Sequence, residues 1–248
     1  MSYADLTWND PNAVKRWLQH RRIRDALDQI GPDQARGLIV DFGGGDGMLA
    51  EVIQKRWPGT RVVVFEPYAE MAEAARRRLD VYPTVSVVER EVDLPPGADV
   101  IFCTEVFEHL PDVETDRALD EIDRILKAGG RLVIGVPVEV GPPALLKGLF
   151  RHWRRAGAYD ADLGRIWQAT TGRAPTDRPP EMLGPDRKYH SFHLGFDHRQ
   201  LRRRLEERFG HARLTGSPFR IVPVFLNSEA YLTLTKPETV PYGPRRTR

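Results

Sequence analysis

The residues able to do chemistry fall in four short stretches. The first is "LIVDFGGGDGMLAEVI", residues 38 to 53, where an apolar run ends at Asp41 and four glycines follow by Gly47. Glycine loses more backbone freedom on folding than any other residue, so a run of it implies that something comes close to the main chain. The second is Glu66-Pro67, closing the apolar run "RVVVF". The third is "CTEVFEHLPD", with Glu105, Glu108 and His109 within five residues. The fourth is "KYHSFHLGFD", with His190 and His193 three apart. A histidine beside carboxylates suits proton transfer near neutral pH. No acidic cluster lies near His190 and His193 in the sequence to complete a metal site, and the single cysteine, Cys103, allows neither an internal disulfide nor a cysteine-based zinc site. Cys103 reads as a small core residue.

The elements that position these stretches follow from periodicity. Residues 12 to 30 read as a helix with Val14, Trp17, Leu18 and Ile23 on its apolar stripe, stopped by Gly31-Pro32. Strands are expected at 38–42, 60–67, 84–92, 98–105 and 131–140, and helices at 47–57, 68–79 and 114–130, the last closed by Gly129-Gly130. Strands rich in Val and Ile that alternate with helices imply a mainly parallel sheet covered on both faces. After Pro142 the regular pattern breaks. The clearest fragment is 144–155, with Leu145, Leu146, Leu149, Phe150 and Trp153 on one helical face and Lys147, Arg151 and Arg154 opposite. A helix at 196–210, capped by Asp197 and stopped by Gly210, precedes two last strands at 211–218 and 228–236. The expected organisation is an N-terminal helical cap (1–35), a core (36–140 and 191–236), an insertion (141–190) and a flexible tail (237–248).

Composition bounds the partners. The chain has 248 residues, 37 basic against 35 acidic, a net charge of +2 and 41% hydrophobic residues. That is enough for one substantial core, and it does not point to nucleic acid. The N-terminus lacks the apolar core of a signal peptide and no uncharged run reaches membrane-span length, so a cytoplasmic protein is expected.

In an open parallel sheet, ligands bind beyond the carboxyl ends of the strands, where the glycine turn lies. Two ligand classes compete for it. Gly45, Gly47 and Ala50 fit the loose dinucleotide fingerprint, which would make the chain an NAD(P)-type oxidoreductase. S-adenosylmethionine brings a sulfonium and an ammonium instead of a pyrophosphate, and Asp41 favours these cations. Glu66 can accept the ribose hydroxyls of either ligand. There is no G-x-x-x-x-G-K-[ST] phosphate loop.

"VDFGGGDG", "VVVFEPYAEMAEAA", "VIFCTEVFEHLPD" and "LKAGGRLVIGVP" occur in that order, and together they resemble the motifs of class I S-adenosylmethionine-dependent methyltransferases. The third resembles most the subgroup that includes ubiquinone-type O-methyltransferases. The resemblance covers roughly residues 36 to 140. It implies a Rossmann-like, doubly wound, mainly parallel seven-stranded sheet with an antiparallel last strand, and a helical or irregular substrate lid after the fifth strand. It places the cofactor against Asp41, Gly43, Gly44, Gly45, Gly47, Glu66, Pro67, Thr104 and Glu105, with S-adenosylhomocysteine as product. The adenine contact falls on the 91–93 region, with Asp93 as candidate, because Arg90 stands where the family usually has an acidic residue.

The resemblance also implies a small or medium methyl acceptor, methylated at oxygen, with Glu108, His190 and His193 as substrate contacts. A hydroxyl acceptor needs a general base, and His109, following the fourth strand beside Glu105 and Glu108, is placed for that role. Against these roles stand structural ones, such as His109 capping a helix or bonding a neighbouring loop. The basic amphipathic piece 144–155 reads as a helix packed on the domain, a dimer contact or a peripheral membrane contact. The N-terminal helix, with Trp8, Trp17 and Arg21, either closes over the cofactor or simply packs. A catalytically inactive cofactor-binding partner protein is the remaining alternative.

Overall fold

The computed structural model describes residue 8, residues 10–183 and residues 187–238. The expected tail therefore lies almost wholly outside the described residues. Seven strands form one sheet: β1 (Leu38–Phe42), β2 (Arg61–Phe65), β3 (Val85–Val88), β4 (Ala98–Thr104), β5 (Leu126–Pro137), β8 (Arg213–Ser217) and β9 (Glu229–Thr235). Their spatial order is β3-β2-β1-β4-β5-β9-β8. β1 to β5 run parallel, and β9 inserts antiparallel between β5 and β8. This is the doubly wound sheet with an antiparallel last strand that the motifs imply. A second, two-stranded sheet joins β6 (Glu181–Leu183) to β7 (Arg187–Tyr189), an antiparallel pair that the irregular sequence of this region does not announce.

Both faces of the sheet are covered. One apolar cluster joins Val40, Ile101, Ile134 and Leu232 of the strands to Ile122 and Ile125 of α4 (Asp112–Ile125) and to Leu205 and Phe209 of α7 (His198–Phe209). The other joins Ile39, Val62, Val64 and Phe102 to Ala26 and Leu27 of α1 (Ala13–Leu27), Ile53 of α2 (Met48–Arg56) and Leu79 of α3 (Ala69–Leu79). Strand side chains alternate between the two clusters because successive residues of a strand face opposite sides. Fully buried Val and Ile on both faces explain the continuous apolar runs.

Three local expectations change. Helix 114–130 ends at Ile125, and Leu126–Gly130 joins β5. Ala98 pairs with Leu126 before a bulge, so sheet pairing overrides the helical pattern of "ILKAGG". In α1, Val14, Trp17 and Leu18 are exposed, and the buried residues come from the last turn, Asp25, Ala26 and Leu27. The helix reaches the sheet only from Arg22 onwards, where Tyr231 of β9 donates to Arg22 O at 2.7 Å.

The third change concerns α5 (Pro142–Arg155), which buries Ala144 and Gly148 against α6 (Leu163–Thr170). Lys147 and Arg151 turn inward, whereas Leu146, Leu149, Phe150 and Trp153 are exposed. The cause is Glu139, fully buried just past β5. Arg151 holds its carboxylate with two hydrogen bonds of 2.9 Å and Lys147 with one of 3.0 Å. A buried carboxylate must be paired, so it draws in the charges that the helical wheel sets against the apolar face. No helix among the described residues is long and apolar enough to cross a membrane.

Candidate active site

The glycine turn sits where β1 ends and α2 begins. Side chains are excluded there for two different reasons. A Cβ on Gly43 would stand 2.4 Å from Val106 Cγ2, one on Gly44 2.6 Å from Val64 Cγ1, and one on Gly47 2.7 Å from Leu79 Cδ1. Those glycines answer to the protein's own packing. Gly45 differs: its φ is +56° and a Cβ there would meet nothing within 4 Å. The space above Gly45 is the place on this turn left open for a ligand.

Glu66, at the end of β2, reaches back across the turn. Its Oε2 accepts the Gly45 N–H at 2.9 Å and its Oε1 accepts the Tyr68 N–H at 2.9 Å. Each oxygen keeps a second lone pair for a hydroxyl donor. Burial raises the Glu66 pKa, although the two backbone N–H groups oppose this.

Asp41 lies beneath the turn and is only 1% exposed. Burial, then the charges of Glu66 and Asp46, push its pKa up to about 7, against a hydrogen bond from the Ala50 N–H. Its Oδ2 has no hydrogen-bond partner. Asp41 is therefore buried within the turn and does not line the open cavity. A cationic ligand above the turn would relieve this confined acidic charge. An open cradle over Gly45, a carboxylate offering lone pairs beside it and an orphaned buried carboxyl oxygen below it fit S-adenosylmethionine.

A cavity of about 170 Å³ lies against the start of the turn, lined by Gly43, Glu66, Pro67, Glu105, His109 and Tyr189 among others. Glu91 also lines it, whereas Asp93 is exposed beside Arg90. The structure thus sets Glu91, not Asp93, against the cavity, where it pairs with Arg117 and Arg187 at 3.1 Å each. A larger groove of about 560 Å³ runs between α4 and α7 and contains none of the glycine-turn residues.

The wall opposite the turn is built by the end of β4. Thr104 is half-buried at the last strand position. Glu105 has φ +58°, a left-handed conformation that costs a non-glycine residue about 1 kcal/mol or more. Its N–H still bonds Gly135 O at 2.9 Å, and its carboxylate meets Arg22 Nη2 at 2.5 Å. Burial works against both charges, and the pairing overcomes it, holding the Glu105 pKa low and the Arg22 pKa high. Glu229, the first residue of β9, lies beside Glu105, and burial with that neighbouring charge pushes its pKa up to about 8. The proton of this acidic pair therefore rests on Glu229. Arg22, and not Arg21, is the residue through which α1 reaches the site; Arg21 pairs with Asp25 at 3.1 Å. Trp8 stacks on His20 and Trp17 approaches Phe219, so neither covers the cavity.

A 3₁₀ turn, Phe107–His109, follows. His109 Nδ1 lies 2.7 Å from His190 O, so it carries the proton and donates. The His190 N–H donates to His109 O at 2.8 Å. His109 does bond a neighbouring loop, as its structural alternative holds, and this leaves Nε2 unprotonated, with His193 as its neighbour. Tyr189 stacks on the ring at 4.7 Å. His190 itself points to the larger groove and bonds Pro179 O at 3.1 Å, so it orients His109 through its backbone. His193 Nε2 lies 3.3 Å from His109 Nε2, and burial pulls the His193 pKa down to about 4. Glu108 is fully buried with neither carboxylate oxygen hydrogen-bonded. Burial, then Glu105, raises its pKa well above the carboxylate range.

The fold thus brings together Gly45, Glu66, Glu105, Glu108, His109 and His193, and leaves Asp93 and the His190 side chain outside. Glu91, within the 91–93 region singled out in the sequence, and Arg22, Arg117, Arg187, Tyr189 and Glu229 also converge on the site. Nothing in the sequence surroundings of the last five marks them, because each arrives by tertiary packing alone.

A family model described as a methyltransferase domain matches residues 14–172. The trans-aconitate 2-methyltransferase of Rhodopseudomonas palustris (strain HaA2) is 32% identical over 127 residues, covering 50% of this chain and 47% of the relative. The malonyl-[acyl-carrier protein] O-methyltransferase of Xylella fastidiosa (strain M23) is 28% identical over 145 residues, covering 56% of this chain and 46% of the relative. The match spans about half the length of these curated relatives. Among solved structures, the magnesium protoporphyrin IX methyltransferase of Synechocystis PCC 6803 with bound S-adenosylhomocysteine superposes with a TM-score of 0.55, at 15% identity, over 94% of this chain and 92% of that one. The family model covers well over half of the chain, so the chain belongs to the methyltransferase-domain family, with the class I S-adenosylmethionine-dependent architecture.

Proposed function

We propose that this protein passes a methyl group from S-adenosylmethionine to an oxygen of a small or medium metabolite. The observation that carries the reading is that Gly43 of the glycine turn and Glu66, which accepts the Gly45 N–H, line the same cavity as Glu105 and His109. Donor and acceptor positions then share one confined space. When bound, S-adenosylmethionine supplies a methyl carbon activated by its sulfonium and leaves as S-adenosylhomocysteine.

The chain's own residues supply orientation and exclusion of water, which is most of what an in-line displacement asks of a protein. Glu66 and the glycine turn hold the donor. Tyr189 and Arg187 of β7 wall the far side, so the 141–190 region serves as the acceptor lid. A hydroxyl acceptor would lose its proton to Nε2 of His109, whose tautomer is set by His190 O. A carboxylate acceptor would need no base. The two relatives are named for trans-aconitate and for malonyl-[acyl-carrier protein], and Arg117 and Arg187 at the cavity suit an anionic acceptor.

Calorimetry with S-adenosylmethionine, S-adenosylhomocysteine and NAD tests the reading. The expected result is binding of the first two, abolished in Gly45→Arg. NAD binding without any response to S-adenosylhomocysteine would overturn it in favour of the oxidoreductase alternative. Tight cofactor binding with no acceptor methylated in a broad screen would favour an inactive partner protein.

A further inference from the structure

We propose that Glu108, His109 and His193 form a binding site for one divalent transition-metal ion. The three come from two segments more than eighty residues apart, and their ligand atoms all lie within 4.8 Å of one another. The Nε2 atoms of the two histidines are 3.3 Å apart. Two nitrogens bound at about 2.1 Å to a tetrahedral ion would be about 3.4 Å apart, so an ion fits between them with small adjustment.

Glu108 gives the independent reason to expect a cation. It is 0% exposed, and both its carboxylate oxygens lack a hydrogen-bond partner. A buried carboxyl left so is costly, and native proteins rarely keep one without a use. The nearby protein cations are committed elsewhere. Arg22 pairs with Glu105 at 2.5 Å, and Arg178 Nη2 donates to the Glu108 backbone oxygen, not to its carboxylate.

The surroundings are arranged as metal sites are. His109 gives its Nδ1–H to a backbone carbonyl at 2.7 Å, which fixes the ring and presents Nε2 as a ligand lone pair. Tyr189 stacks on that ring, and the ionised Glu105 adds acidic charge close by. Two imidazoles and one carboxylate suit zinc, manganese, iron(II) or cobalt(II), whereas calcium and magnesium prefer oxygen throughout.

Three protein ligands leave positions for water or another oxygen, and His109 borders the cavity. Resting on the methyltransferase reading, the ion would hold the acceptor oxygen and draw off its proton to solvent as it coordinates. In that form Nε2 of His109 is a ligand and no longer a base.

The test is a cobalt(II) titration of chelator-treated protein, followed by visible d–d absorption. One equivalent should give a saturable spectrum. Glu108→Gln and His193→Ala should each weaken cobalt binding by at least the roughly 10- to 100-fold that even outer partners cost. Glu108→Gln keeps the buried volume, so the test survives if His193→Ala fails to fold. Absence of the spectrum, or a spectrum unchanged in Glu108→Gln, would overturn the site. S-adenosylhomocysteine calorimetry on the same samples keeps the two readings apart. Its retention shows the variants folded, and its failure in the parent protein counts against the methyltransferase reading, not against the ion.

Discussion

Replacing Gly45 by alanine separates the needs of the ligand from those of the fold. At φ +56° a Cβ carries an intrinsic cost of about 1–2 kcal/mol. Nothing within 4 Å opposes it, so no packing cost is added. For a chain of this size each kcal/mol lowers Tm by about 2–4 °C, which predicts a fall of about 2–8 °C. The new methyl group stands where the ligand is expected to press against the main chain. Overpacking of a tight contact costs about 1–3 kcal/mol, equivalent to an affinity loss of about 5- to 150-fold. The assay is calorimetric titration with S-adenosylhomocysteine beside thermal denaturation without ligand. Gly44→Ala is the contrast, because its Cβ would lie 2.6 Å from Val64 Cγ1 and 2.8 Å from Asp41 Oδ2. It should destabilise the ligand-free protein more than Gly45→Ala does. Parent-like affinity in Gly45→Ala would refute the reasoning, since the ligand could not then lie over that turn.

Two further predictions follow from buried carboxyls at opposite extremes. The Asp41 pKa, at about 7 against 3.8, is raised on folding, so its contribution disfavours the fold as pH climbs between those values, by up to about 4 kcal/mol. Asp41→Asn should therefore raise the ligand-free Tm at pH 8, with the gain fading towards pH 4, while weakening cofactor binding; a lower Tm than the parent at pH 8 would contradict this. Glu139 is the reverse case: burial alone would raise its pKa, but Lys147 and Arg151 bring it from 4.5 down to about 2. Its stabilisation, of about 3 kcal/mol, is fully present above pH 4.5 and lost as pH falls through 2. Urea denaturation at pH 7 should show Arg151→Met weaker by about 3 kcal/mol or more, because a buried carboxylate loses its bidentate partner. Glu139→Gln should flatten the acid limb of the stability profile, and an unaltered limb would show that the network does not carry that energy.

Much of this protein is determined locally and is therefore legible in the chain. The apolar runs of β1, β2 and β4 are buried on both faces, so each needs only its own residues to declare itself. Gly45 and Glu66 are tied to the ends of such strands, and the crossover topology of a parallel sheet brings them together. Tertiary structure decides what depends on a distant partner. It takes Leu126–Gly130 from a helical pattern into β5, because Ala98 is there to pair with it. It turns Lys147 and Arg151 inward, because Glu139 must be neutralised. It sets Glu91 rather than Asp93 against the cavity. Above all it joins His109 to His193 and leaves Glu108 unpaired between them, a cluster that spacing alone set apart. A pattern of hydrophobicity records which residues leave water, but the charges buried with them take their positions from partners that only the folded chain supplies.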